Sequence, residues 1–413
     1  MTDFVILAAG KGTRLWPITN GRQKCMLPVL NKPLLEWTIS MVYPLANKII
    51  LVVGEGKQSV IEHFAKTPFV DKIVYAEQKE QKGTGHAVLT AEPFVDEDFT
   101  ILNGDDAYSQ EIFDLYKEQK NWFAIAKFVE DRSIWGAYKT YENGNILDVV
   151  EKQPGLGPGM ININFLHVPK EFFNYLHDLK PSPRGELELT DGQKAFALEN
   201  ELKAVRADGY WNGLGYFWSY IDVNRWALEY LMEESIEGNV EAGAKIKGKL
   251  SLGRGAVIKS GTVIEGNAFI GENTVIGPNA YLRGGVVIGA SCHIGSSEVK
   301  ASVIMDGTNA AHHSYIGDSV VCENVNLGAG TKVANLRFDE KNVHVKLNEK
   351  MIDSCRKKLG SAIGPGTKTG VNCSINCGVL IGRNSRVYPN SFVKENLPEN
   401  SVFDGKEIHV LSE

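Results

Sequence analysis

The sequence lacks any Cys-x-x-Cys pair and any cysteine–histidine cluster with zinc spacing. Its six cysteines, Cys25, Cys292, Cys322, Cys355, Cys373 and Cys377, are scattered, which argues against a zinc module and a disulfide framework and for reduced thiols. A long basic run is also missing. The 44 Lys and Arg against 50 Asp and Glu leave a net charge of -6, so nucleic acid is excluded as a bulk electrostatic partner. A local basic pocket for phosphates remains compatible with that balance. The longest apolar runs are strand-sized, as at residues 48–53, and none is long enough for a membrane span. Residues 1–9 carry no basic segment of the kind that opens a signal peptide. These absences together lead to the expectation of a cytoplasmic protein that binds neither nucleic acid nor membrane.

What is present divides into two halves with different rhythms, as a chain of 413 residues leads one to expect. Residues 4–8, 48–53, 72–76, 99–102 and 123–128 read as strands, and 34–42, 58–65, 84–91 and 110–120 as helices. Strand–helix alternation at this spacing implies a mostly parallel sheet with helices on both faces, whose ligands gather at the carboxyl ends of the strands. From Ile246 onward every sixth residue is aliphatic: Leu252, Ile258, Ile264, Ile270, Ile276, Leu282, Ile288 and Ile294. Glycine follows at 253, 271, 277, 289 and 295, where tight corners want small or left-handed residues. A later run in a new phase holds Ile363, Ile375, Ile381, Val387 and Val393, with Thr369 as its polar member. Neither a helix nor an ordinary strand has a period of six. A triangular coil of three short strands does, because stacked coils bury one aliphatic residue from each face. The fold class expected is therefore α/β: a Rossmann-like domain over residues 1–217, a connecting helix within 218–240, and a left-handed parallel β-helix of hexapeptide repeats over 241–413.

The first strand runs directly into Leu7-Ala8-Ala9-Gly10-Lys11-Gly12-Thr13-Arg14. A phosphate chain needs bare amides and close approach, which Gly10 and Gly12 permit, and Arg14 adds a bidentate charge. Further motifs follow: Lys24-Cys25-Met26-Leu27-Pro28-Val29, Asn31-Lys32-Pro33, Gln78, Gly83-Thr84-Gly85-His86-Ala87, Gly104-Asp105, Glu151-Lys152 and Ile161-Asn162. Together they resemble the signature of the sugar nucleotidyltransferase family. With the hexapeptide half attached, the whole chain resembles the bifunctional N-acetylglucosamine-1-phosphate uridylyltransferase / glucosamine-1-phosphate N-acetyltransferases, archaeal versions in particular.

The resemblance implies transfer of a nucleotidyl group from UTP or dTTP to a sugar-1-phosphate, with release of pyrophosphate. Positioning and charge neutralisation dominate such a reaction. It further implies that Arg14 and Lys24 neutralise the triphosphate, with Leu7, Ala9, Gly10 and Gly12 around it. Gln78, Gly83 and Thr84 would read the base, and Gly136, Glu151 and Asn162 would line the sugar. Asp105 would hold a Mg²⁺ ion. Asp106, beside it, is the better candidate for a helix N-cap, and the Thr190-Asp191 pair reads as a cap of the helix that follows. One departure stands out. Relatives carry Trp-x-Asp-x-Gly, whose Asp is a second metal ligand; here the stretch is Trp211-Asn212-Gly213-Leu214-Gly215. Asn212 is the expected substitute, contributing less charge than a carboxylate.

In the second half, Ala311-His312-His313-Ser314-Tyr315-Ile316-Gly317-Asp318 resembles the family's acetyltransferase segment. Acetyl transfer from acetyl-CoA to an amine needs a base, and the resemblance gives that role to His312. Tyr315 and Asn335 would orient the sugar or amine, Arg283, Lys300 and Lys341 would bind the sugar phosphate, and Ala329 lies in the segment expected to line the acetyl-CoA groove. A homotrimer or a dimer of trimers is the implied assembly. Two alternatives stand beside this reading: a nucleotidyltransferase of single activity, thymidylyl or guanylyl, and a non-catalytic regulatory homologue, in both of which the β-helix only oligomerises.

Overall fold

The computed structural model describes residues 1–19 and 21–411, so the last two residues of the expected 241–413 segment lie outside the described residues. The chain forms two compact units. The first holds Met1–Lys11, Gly21–Leu27 and Lys32–Gly213; the second holds Gly12–Asn20, Pro28–Asn31 and Leu214–Glu413.

The first unit is a twisted sheet flanked by helices. Strands Thr2–Leu7, Ala46–Val53, Ile73–Glu77 and Phe99–Asn103 lie side by side and parallel, as the strand–helix alternation implies. Ala46–Val53 is buried almost throughout, which its unbroken run of Ile, Leu and Val allows in a sheet covered on both faces. The departure from a parallel sheet begins at Gly159–Val168. This strand runs antiparallel to Phe99–Asn103 and to Phe123–Val129, and the hairpin of Gly136–Thr140 with Ile146–Glu151 extends the sheet beyond it. Such hairpin pairing needs no crossover helix, so the helical rhythm of the sequence fades there. Helices Leu34–Val42, Lys57–Phe64, Thr84–Leu89 and Gln110–Glu118 fall where the periodicity places them.

The second unit is a parallel β-helix preceded by the helix Phe217–Tyr230. Strand pairs recur eighteen residues apart, as in Leu250↔Ala268 and Val257↔Val275, so one coil is three six-residue steps. The positions picked out by the six-residue rule, from Leu252 to Ile294, are all buried in one continuous apolar column, with Ile246 partly buried at its end. Thr369 enters that column without an orphaned hydroxyl. Its Oγ1 accepts from the Gly328 amide at 2.9 Å and lies 2.8 Å from Thr331 Oγ1. Between residues 334 and 358 the chain leaves the coil and forms the hairpin His344–Leu347 with Lys350–Asp353, tied back by an ion pair of Arg356 with Asp222.

The close stacking of coils fixes some glycines by size. A Cβ on Gly271 would lie 2.5 Å from the Ala290 nitrogen and 2.5 Å from the Gly289 carbonyl carbon, both backbone atoms of the next coil. No side chain can move aside there. Gly271→Ala is therefore expected to destabilise the β-helix by about 1–3 kcal/mol, read as a drop of several degrees in its thermal unfolding.

Candidate active sites

In the first unit a cleft of about 320 Å³ opens past the carboxyl ends of strands Thr2–Leu7 and Phe99–Asn103. That size suits a small-molecule site. Its walls bring together Leu7, Ala9, Gly10, Lys24, Gln78, Gly83, Thr84 and Asp105, all singled out from the sequence. They also include Gln81, Asn103 and Asn164, which the sequence reading did not single out.

Each wall has a local cause. The segment after the first strand is held open by backbone ties to its neighbours, Ala8 N to Val52 O at 2.9 Å and Gly104 N to Leu7 O at 2.9 Å. Nothing lies within 4 Å of where a Gly10 Cβ would stand, so that amide stays approachable. Lys24 sits on a single 3-10 turn, Lys24–Met26, and forms a part-buried ion pair with Asp105 across the cleft. On the far wall, Gln78 Nε2 donates to the Gly83 carbonyl at 3.2 Å and lies 3.0 Å from His86 Nδ1. The loop is pinned from outside by Leu187, whose carbonyl accepts from Gly85 N at 2.8 Å and whose amide donates to Lys82 O at 2.7 Å. This gives the segment around Leu187 a part in shaping the cleft. The helix after it starts at Leu189 with Glu188 as N-cap, so Thr190 and Asp191 lie inside its first turn rather than capping it.

Cys25 lines the cleft beside Lys24, yet burial, helped by the negative charge of Asp105, pushes its thiol up to about 12. Cys292 is likewise pushed up to about 11, first by burial, whereas Cys355 is exposed. Because the thiolate is the reactive form, a thiol reagent at about pH 8 is expected to label Cys355 rapidly and leave Cys25 and Cys292 unmodified until the chain unfolds. Mass-spectrometric mapping of the labelled peptides checks this.

Asp106 departs from its expected capping role. It belongs to the short strand Asp106–Tyr108, and the helix Gln110–Glu118 takes Ser109 as its N-cap. The Asp106 carboxylate is buried, and its Oδ2 accepts from Asn103 Nδ2 and Trp211 Nε1, each at 3.0 Å. Burial, then the charge of Asp105, raises its pKa to about 7. Gly213 stands opposite it in the two-stranded ladder, and a Cβ there would lie 2.7 Å from Asp106 Oδ1. Asp106 thus fills the space a larger residue at 213 would need. Asn212, between Trp211 and Gly213, donates to the Tyr210 hydroxyl at 3.3 Å and is not among the residues lining the cleft. Among the described residues no group of three or more His, Cys, Asp or Glu is assembled to hold a metal. The hard carboxylate oxygens of Asp105, in the cleft wall, nonetheless fit Mg²⁺, which takes one or two carboxylates and completes its shell with phosphate and water.

Gly136, Glu151 and Asn162 come together in a second group. A Cβ on Gly136 would be 2.9 Å from Glu151 Oε2 and 3.6 Å from Asn162 Cβ. Glu151 is also within 3.4 Å of Arg184 and 3.3 Å of Lys152. Gly12 and Arg14 fall in the second unit, where Gly12 is left-handed at φ 67° and the Arg14 guanidinium lies 5.5 Å from the Tyr216 ring centre.

On the β-helix, His312 is exposed on strand Asn309–Gly317, opposite Ser296. Three residues on, Tyr315 stands opposite Glu298. Arg283 is 2.7 Å from Glu298, Lys300 is 2.6 Å from Asp318, and Asn335 Nδ2 donates to Asp318 at 2.5 Å. Arg283, Lys300, Tyr315 and Asn335 therefore share one face, and both cations are matched by carboxylates. Glu298 was missed because nothing in its local sequence marks it; it is selected by register alone. Ala329 reaches the same neighbourhood through Gly330, whose amide donates to the His312 carbonyl at 2.9 Å. Lys341 belongs to the 334–358 excursion, where its backbone amide donates to Asp339 Oδ1 at 3.3 Å. His293 is held below the usual histidine range by burial, then by the charges of Lys259 and His312.

A family model described as "Nucleotidyl transferase" matches residues 4–229, and one described as "GMPPB C-terminal domain" matches residues 264–357. The sequence is 43% identical over 413 residues, 99% of each chain, to "Bifunctional protein GlmU" of Methanococcus maripaludis strain C7. It is 41% identical over 403 residues to "Bifunctional sugar-1-phosphate nucleotidylyltransferase/acetyltransferase" of Sulfurisphaera tokodaii, covering 96% of this chain and 98% of that one. Among solved structures it is similar to a UDP-glucose pyrophosphorylase complexed with UDP-glucose, with TM-score 0.51 and 25% identity over 55% of this chain and 99% of that one. No helix among the described residues is long and apolar enough to cross a membrane.

Proposed function

Because the chain belongs to the nucleotidyl transferase family, we propose that it is a bifunctional enzyme of nucleotide-sugar synthesis. Its first unit transfers a uridylyl or thymidylyl group to a sugar-1-phosphate, N-acetylglucosamine-1-phosphate foremost. Its β-helix acetylates glucosamine-1-phosphate from acetyl-CoA. The observation that carries this reading is that the match to bifunctional relatives runs through both sites, over 99% of both chains in the first case.

In the cleft, a phosphate oxygen of the sugar-1-phosphate attacks the α-phosphorus of the nucleoside triphosphate in line. The bond from that phosphorus to the bridging oxygen breaks, and pyrophosphate leaves. The approachable Gly10 amide and the Lys24 ammonium offset charge on the triphosphate. Gln78 holds the Gly83 carbonyl, which keeps the base-reading loop in one shape. A bound Mg²⁺ supplies Lewis-acid neutralisation of the phosphate oxygens, and Asp105 is the residue that would hold it. Gly136, Glu151 and Asn162 border the sugar.

On the β-helix, His312 takes a proton from the amine as its nitrogen attacks the thioester carbonyl. The carbon–sulfur bond breaks, the departing sulfur takes that proton back from His312, and coenzyme A leaves as the thiol. Arg283, Lys300 and Lys341 serve the sugar phosphate, and Tyr315 and Asn335 orient the acceptor. A homotrimer or a dimer of trimers in the cytoplasm completes the reading; the exposed side chains of Val371, Tyr388 and Phe392 support further association of the coils.

Two assays test it. Pyrophosphate release is measured with UTP or dTTP and a panel of sugar-1-phosphates, and thiol release with acetyl-CoA and glucosamine-1-phosphate. No pyrophosphate above a metal-free blank overturns the first activity, and no thiol release overturns the second.

A further inference from the structure

Strand Gly159–Val168 is interrupted where it changes neighbours. Its pairing with Phe123–Val129 passes from Asn162↔Ala126 to Phe165↔Ile125, leaving Ile163 and Asn164 outside that register. Asn164 takes a left-handed backbone, φ 52°, which few residues other than glycine and asparagine adopt readily. Bulges of this kind re-aim side chains beside active sites. Here the result is that Asn164 lines the cleft next to Asn103.

A one-way chain of hydrogen bonds holds its amide. Tyr138 Oη donates to Asn162 Oδ1 at 2.8 Å, and so does the Asn164 backbone amide, also at 2.8 Å. Asn162 Nδ2 then donates to Asn164 Oδ1 at 2.7 Å, and Asn164 Nδ2 faces Asn103 Oδ1 at 3.4 Å. Asn103 Nδ2 in turn donates to Asp106, at the end anchored by Trp211. Both ends fix the direction, since a backbone N–H and an indole N–H donate and cannot accept. Asn162 therefore spends its oxygen and one N–H inside the protein, and it is not among the residues lining the cleft. Asn164 uses its oxygen and one N–H, the latter weakly, and keeps a second N–H for a ligand in the cleft.

We infer that Asn164 is a further specificity-determining residue for the sugar-1-phosphate, its amide, held by Asn162 Nδ2, donating an N–H to an oxygen of the sugar. This rests on the nucleotidyltransferase reading of the cleft. The matching ligand chemistry is an acceptor oxygen: a ring hydroxyl or the carbonyl of an acetamido group.

Asn164→Gly tests it, because glycine accepts the left-handed backbone while removing the amide. With wild type and variant, KM and kcat are measured for N-acetylglucosamine-1-phosphate, glucose-1-phosphate and UTP, alongside the melting temperature. The expected result is a KM for sugar-1-phosphate raised about 3- to 10-fold, with the KM for UTP and the melting temperature unchanged. A rise with both sugars assigns the contact to a hydroxyl they share, and a rise with the N-acetyl sugar alone assigns it to the acetamido carbonyl. Unchanged KM for both sugars, or a rise for UTP instead, overturns the inference. Wild type without turnover of either sugar overturns the nucleotidyltransferase reading itself, and this inference with it.

Discussion

Lys24→Met is expected to lower kcat/KM for pyrophosphate release by about 10²- to 10³-fold, the scale of losing one oriented charge at a developing transition state, while thiol release from acetyl-CoA continues at the wild-type rate. The reasoning begins from position. Lys24 sits on a short turn inside the cleft, pairs with Asp105, and is largely screened from water, its side chain 13% exposed. A charge held there is pre-oriented and acts through a medium less polar than bulk water, so it counts for more than a surface lysine does. Methionine keeps the length and apolar stem of the side chain, which separates loss of charge from loss of packing. Asp105→Asn is the companion measurement. If Lys24 served only to pair Asp105, replacing the carboxylate by an amide would leave the rate near that of wild type; the proposed roles require a loss in both variants. Steady-state release of pyrophosphate with UTP, Mg²⁺ and N-acetylglucosamine-1-phosphate supplies the number.

The second large effect belongs to the β-helix. His312→Ala is expected to slow acetylation of glucosamine-1-phosphate by about 10²- to 10⁴-fold, the contribution of a positioned general base, with pyrophosphate release unaffected. His312 is exposed on its strand, and the apolar column of the coil does not include it. The substitution therefore removes an imidazole without opening a cavity, and the melting temperature should stay at the wild-type value. His293→Ala is a useful control. His293 is coupled to His312 by charge but has no place in the proposed chemistry, so a loss confined to His312→Ala distinguishes the base from its neighbour. Full acetylation by His312→Ala would leave the β-helix a structural appendage.

Much of this molecule is written locally. The aliphatic residue at every sixth position from Leu252 to Ile294 announces the coil because each such position has the same task, filling a column between stacked strands. The glycines, lysine and aspartate of the cleft announce themselves because phosphate chemistry constrains both residue type and spacing. What the sequence hides is set by pairing between distant segments. Asp106 reads as a helix cap until strand Trp211–Gly213 is laid against it, where Trp211 supplies a donor and Gly213 the space. Asn164 looks like one more residue of a strand until the register slips beside it. The mostly parallel sheet expected from alternation holds for the first strands and gives way at Gly159–Val168, since strand direction depends on partners the local pattern does not name.

The most direct test is a crystal structure of the protein grown with UTP and Mg²⁺. The account predicts the triphosphate against the Gly10 amide and the Lys24 ammonium, with the metal ion on Asp105. Nucleotide bound elsewhere, or no density in that cleft at saturating UTP, would contradict it.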